Sequence, residues 1–134
     1  PMLDGTLARN FLDSGAVTRL ARRDRETAAL IGVLRREGLW PPLVPSVVVV
    51  ESVTGRPGPD ANTNRLLKTC DILTDLSEET ARRAASLRHR AKHGSAVDAV
   101  VVALAEPGGN VLTGDPTDIG ALAEHARDVR VATV

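Results

Sequence analysis

Apolar residues recur at helical spacing in three stretches of the chain. In 24–38, Leu30, Ile31 and Leu34 share one face, Asp24 is placed to cap the start, and Gly38 can end the helix. In 77–94, Ala84, Leu87 and Ala91 line one side with Ser77 as the cap and Gly94 as the stop, and the arginines fall largely on the opposite side. The third stretch, 95–106, is apolar almost all round, as a buried helix would be. Between these lie short apolar runs of strand type at 10–13, 70–76, 110–115 and 129–134. Strands alternating with helices predict an α/β domain, a mostly parallel sheet of four to five strands sandwiched by helices. The run "SVVVVES" (46–52) fits two elements: β-branched residues favour a strand, whereas Pro45 and Ser46 can open a helix with Ser46 as its cap. The segment 54–62, with two Pro and two Gly, reads as the clearest loop and 106–110 as the sharpest turn; neither is long enough to link domains.

The 134 residues suit one domain, 1–134, with 1–9 as an N-terminal extension or a cloning scar, since Pro1 precedes Met2. With one Phe, one Trp and no Tyr among 43% hydrophobic residues, the core must be aliphatic. The single Cys70 permits no internal disulfide and suits a reducing, cytoplasmic setting; its mid-strand place, with no activating base, reads as an unreactive thiol. The longest apolar run, "AVDAVVVALA", is half of what a membrane span needs and contains Asp98, so no membrane association is expected.

Formal net charge is zero, which argues against a protein that holds nucleic acid by bulk charge alone. The basic residues are distinctive in kind: Lys68 and Lys92 are the only lysines, and the rest are arginine, the side chain that forks onto phosphate. Arg82, Arg83, Arg88, Arg90 and Lys92 fall between 81 and 93 without an acid among them.

Two carboxylates stand at strand ends, where α/β sheets build their sites: Asp13 after "NFL" and Asp115 after "NVLTG". Each also has a plain structural use, Asp13 in a turn and Asp115 as the cap of a helix opened by Pro116. Asp98 completes a Ser-x-x-acid capping box with Ser95, and Asp118 suits the positive end of its helix. Glu51, set between valines, has no such explanation beyond exposure to solvent. His89 and His93 have the spacing of a zinc pair, but the neighbouring arginines and lysine would repel a cation. Serine-hydrolase elbows and phosphate-cradling glycine loops are absent from the sequence.

Taken in order, "FLDSGAV", "VPSVVVVESV", "GSAVDAVVVALA" and "VLTGDPTDIGALA" resemble the PIN domain, specifically the VapC-type toxins of bacterial toxin-antitoxin pairs, from about Asn10 to Val134. The resemblance implies that 46–53 is helical, because the family glutamate sits on a helix. It matches Asp13, Glu51, Asp98 and Asp115 to the four family acids, Asp118 to a frequent fifth, and Ser14 to the small hydroxyl residue after the first. Gly15 departs from the Ser or Asn often found next. "MLDGT", with Asp4, competes for the first motif, but only three residues precede its Asp and Asp13 is preferred.

The implied activity is endoribonuclease chemistry dependent on Mg²⁺ or Mn²⁺, with Asp13, Glu51, Asp98 and Asp115 as the catalytic and metal-holding set, Asp118 assisting, and RNA contacted by Ser14, Arg88 and Arg90. Physical chemistry agrees: two like charges 4 Å apart repel by about 4 kcal/mol at an effective dielectric near 20, and a hard divalent ion removes that conflict. The family further implies a tRNA or rRNA substrate, a homodimer, and a VapB-like antitoxin that blocks the acidic groove. A catalytically silent PIN scaffold is the alternative. An aspartyl phosphoacceptor domain fits less well, since it would need an acidic pair after the first strand and a suitably placed Lys.

Overall fold

The structure is a computed structural model that describes residues 9–134. Asp4 and most of the expected N-terminal extension lie outside the described residues.

The middle strand is β1 (Asn10–Leu12), buried along its whole length. The chain leaves it through α1 (Ser14–Leu20) and α2 (Arg25–Arg36) to reach β2 (Leu43–Pro45), then through α3 (Ser46–Ser52) and α4 (Ala61–Leu67) to the edge strand β3 (Asp71–Leu73). It next crosses back through α5 (Glu78–Ala91) and α6 (Ala96–Ala105) to β4 (Asn110–Thr113) on the other side of β1, and ends through α7 (Pro116–Ala123) at β5 (Arg130–Thr133). The sheet is therefore five-stranded and all parallel, in the order β3-β2-β1-β4-β5, with Phe11 in register with Leu43 on one side and Val111 on the other.

Right-handed crossovers that leave β1 in opposite directions place their helices on opposite faces. Accordingly α1 packs against α2, α3 and α4, while α5, α6 and α7 pack against one another. The core between these layers is aliphatic apart from Phe11: Leu12, Val17, Val44 and Val48 meet Leu87, Val101, Val111, Ile119 and Leu122, all buried. On α6 the residues from Ala99 to Ala103 are all buried, which is why its sequence shows no polar face.

The predicted caps form. Asp24 accepts from the Thr27 N–H at 2.8 Å, Ser77 from the Thr80 N–H at 3.0 Å, and Ser95 and Asp98 exchange both bonds of a capping box. The valine run is the helix α3, as the resemblance implies, and a strand occupies the three residues before it. Three sequence expectations need correction. Ser46 is the first helical residue and no cap; Pro45 precedes the helix with no side chain to offer, and its fixed φ suits the entry. The stretch read as a strand over 70–76 pairs only at 71–73, because it lies at the exposed edge with a single neighbour. Helix α5 ends before Gly94, at Lys92 in the left-handed conformation (φ 58°).

Arg83 does not belong to the basic face of α5. Its guanidinium makes two 2.8 Å bonds to Glu106, which also accepts from the Arg127 N–H at 2.7 Å. The fork ties α5 to the turn before β4, and its hydrogen bonding holds the Glu106 carboxyl below the usual carboxylate range. Cys70 is half-buried with its thiol 3.5 Å from the Leu66 carbonyl, and burial pushes its pKa up, in keeping with an unreactive thiol. Among the described residues no helix is long and apolar enough to cross a membrane.

Candidate functional site

Successive connections leave β1 to one side and return to the other, so the strand order reverses between β1 and β4. In open α/β sheets a crevice forms at that switch point, beyond the carboxyl ends of the strands. Asp13 follows β1 there, and Thr113, Gly114 and Asp115 end β4 beside it.

Asp13 is 3% exposed. Its Oδ1 accepts from the Ala16 N–H at 2.7 Å, which caps α1, and from the Gly114 N–H at 3.4 Å; its Oδ2 accepts from the Thr113 hydroxyl. The Thr113 oxygen in turn accepts from the Asp115 N–H at 2.8 Å. One hydroxyl thus fixes the two strand-end aspartates relative to each other. Asp115 is exposed and caps α7, accepting from the Thr117 N–H at 3.2 Å. The capping foreseen for Asp115 forms, and Asp13, foreseen in a turn, caps α1 as well; both bonds orient the carboxylates at the crevice.

Burial pushes the Asp13 pKa up; the three hydrogen bonds oppose this, and the charge of Asp98 adds to it. Asp98 is half-buried in the first turn of α6, its Oδ2 accepting from the Ser95 N–H at 3.1 Å. Among the described residues no basic side chain pairs with Asp13. An ionised carboxylate has about four lone-pair sites. Three are used here, and one remains for a further donor or a cation.

The other expected residues stand further out. Asp118 lies in the first turn of α7 with Oδ1 3.9 Å from His93 Nδ1. Glu51 is exposed in the last turn of α3, the helix that packs on α1. Ser14 is half-buried at the first position of α1, and Arg88 and Arg90 are exposed on α5. Among the described residues no three His, Cys, Asp or Glu side chains are gathered closely enough to hold an ion. The structure therefore brings Asp13, Asp98 and Asp115 to one end of the sheet without assembling the four acids into a finished cluster.

Two residues that sequence reasoning missed shape the site. Thr113 is the hydroxyl between the aspartates. Gly114 meets Gly15 backbone to backbone: a Cβ on Gly114 would stand 2.9 Å from the Gly15 carbonyl carbon and 3.0 Å from its oxygen, and one on Gly15 would stand 3.1 Å from the Gly114 Cα. Gly15, where the resemblance leads one to expect Ser or Asn, is thus explained by this contact.

No family model matches the chain, and no curated protein matches it. Among solved structures, the fold is similar to the crystal structure of PAE2754 from Pyrobaculum aerophilum, with 16% identity, 90% of each chain covered and a TM-score of 0.61. That likeness concerns the fold alone.

Proposed function

We propose that this chain is a PIN-type ribonuclease of the VapC kind, cutting RNA at a carboxylate site in the crevice between β1 and β4. The observation that carries the reading is Asp13: a buried carboxylate at the switch point, without a cationic partner among the described residues, its pKa raised by burial and further by the charge of Asp98. Such a pair fits a hard divalent ion, because its donors are all oxygen and one lone-pair site of Asp13 is free. Asp13, Asp98 and Asp115 are the residues that would hold Mg²⁺ or Mn²⁺, with Glu51 in the last turn of α3 and Asp118 in the first turn of α7 as the further candidates. When bound, the ion lowers the pKa of a water and offsets charge on a phosphodiester.

The chain's own part is orientation. The Thr113 hydroxyl and the Ala16 and Gly114 N–H groups hold Asp13, the Ser95 N–H holds Asp98, and the Thr117 N–H holds Asp115. None of these residues is needed as a covalent nucleophile. On this reading the protein works in the cytoplasm as a homodimer restrained by a VapB-like antitoxin.

Incubation of antitoxin-free protein with total RNA in Mg²⁺ or Mn²⁺ is expected to give new 5′ ends at a few positions and none in EDTA. Cuts that survive EDTA would defeat the proposal. A binding module without hydrolysis is favoured by the lack of an assembled three-carboxylate cluster among the described residues; RNA left intact by Mn²⁺-loaded protein would select it. Thr113→Val keeps the size of the side chain but removes the hydroxyl from Asp13. The loss expected for a group that orients a metal ligand is about 10- to 100-fold in metal affinity or activity, read by Mn²⁺ titration and by cleavage rate.

A further inference from the structure

One cavity is lined by none of the candidate acids Asp13, Asp98 and Asp115. It is a cleft of about 570 Å³ walled by the turn between α1 and α2, by α2 itself and by α4. Arg22, Arg23, Arg25, Arg35 and Arg65 line it over an apolar floor that includes Trp40, and the single carboxylate among the lining residues, Asp24, is engaged as the cap of α2. None of the five arginines pairs with a carboxylate among the described residues. In a chain of zero net charge, five of its guanidiniums thus converge on one cleft with almost no compensation.

Two further observations bear on the occupant. The Arg35 guanidinium stacks over the Trp40 ring at 5.5 Å, and the indole Nε1–H of Trp40 is buried without an acceptor. The cleft therefore presents guanidinium donors and positive charge in excess. We infer that it binds the phosphodiester backbone of single-stranded RNA. Guanidinium forks match phosphate oxygens, and a cleft of this size admits a nucleotide or two. Helix α1 leads directly from Asp13 to Leu20, which lines the cleft. Its seven residues span about 10 Å at the α-helical rise, roughly three nucleotides at the 3.4 Å rise of one strand. A strand seated among the arginines can thus run along α1 to the acidic crevice. The inference rests on the ribonuclease reading for its substrate, and it moves the main RNA contact away from Arg88 and Arg90.

The test is fluorescence anisotropy with a short labelled single-stranded RNA in EDTA, where no hydrolysis interferes. The triple variant R22Q/R23Q/R65Q is expected to bind at least about tenfold more weakly, with a salt slope shallower by about 0.7 for each lost phosphate contact. R88Q/R90Q is expected to keep most of the affinity. Hydrolysis of a small phosphodiester, bis(p-nitrophenyl) phosphate with Mn²⁺, should be unchanged in the triple variant, which also establishes that it is folded. RNA binding lost only in the triple variant supports the cleft even if no nuclease activity is found. Equal affinity of the triple variant and the parent overturns the inference, as does an RNA-free parent; hydrolysis of the small diester then judges the ribonuclease reading separately. Polyglutamate bound more tightly than RNA, and lost in the same variant, overturns it in favour of an acidic protein partner.

Discussion

Asp13→Asn is expected to abolish RNA cleavage and, at neutral pH, to raise the melting temperature. The two effects share one cause. Asp13 is buried beside the charge of Asp98, and its pKa in the folded protein lies above the ordinary carboxylate value. Between the unfolded and the folded pKa the native state binds more protons than the unfolded state, so stability falls as pH rises through that window and stays lower above it. At pH 7 the raised pKa is therefore a net cost to the folded state, set by desolvation of the carboxylate. Asparagine removes that charge while its amide oxygen still accepts from the Ala16 and Gly114 N–H groups and its NH₂ can donate to Thr113. Calorimetry should find the variant more stable than the parent at pH 7, with the advantage shrinking as the pH falls toward the carboxylate range. A variant less stable than the parent at pH 7 would mean that the hydrogen bonds to Asp13 outweigh its burial and would remove the electrostatic argument for a cation. RNA cleavage by a folded Asp13→Asn protein would place the chemistry elsewhere, with Asp4 the first alternative.

Local chemistry made much of the fold legible. A cap, an apolar face and a stop residue sit within one window for α2, a cap and an apolar face for α5, and the capping box of Ser95 and Asp98 marks α6 as clearly as its apolar run does. Elements with few residues gave no such period. β2 is three residues ending in a proline, and only two of them are fully buried. α4 has one buried side chain, Leu66, in seven residues. Its start is set instead by Asp60, whose buried carboxylate accepts from the Thr54, Gly55 and Arg56 N–H groups and from the Thr54 hydroxyl. From sequence, 54–60 is a loop; its clamp depends on a side chain folding back over six residues.

The site divides along the same line. Asp13 and Asp115 could be located because both end apolar runs, and Asp98 because its capping box is local. What joins them was invisible: the Thr113 hydroxyl reaches Asp13 across a separation of 100 residues. Burial of a charge is likewise a property of the packed helices, so the raised pKa of Asp13 had no sequence signal. The resemblance supplied the helical assignment of 46–52 that composition left open, and Glu51 nevertheless stands exposed. The five arginines of the cleft come from three separate segments, whereas the run at 81–93 drew attention simply by being contiguous; its Arg83 proves to be tied to Glu106.

Gly114→Ala is expected to damage activity much more than fold. The added Cβ would sit 2.9 Å and 3.0 Å from the Gly15 carbonyl carbon and oxygen, which are backbone atoms with no rotamer to yield. The start of α1 or the end of β4 must withdraw, at the overpacking cost of about 1–3 kcal/mol. Asp13 caps α1 and is bonded to Thr113 and Gly114, so either movement separates it from Asp115. A displacement near 1 Å in a catalytic arrangement can cost about 100-fold in rate. Gly120→Ala is the matched control: it lies within α7, where a Cβ would meet nothing within 4 Å, and replacing a helical glycine there should add about 0.5–1 kcal/mol of stability. Cleavage rates and melting temperatures of the two variants separate the contact from the residue type. If both retain full activity, the crevice tolerates a shift at its narrowest backbone contact, and the Asp13 and Asp115 carboxylates need not be held in register. If Gly114→Ala alone loses it, the glycine pair is what holds the two strand-end aspartates at working distance.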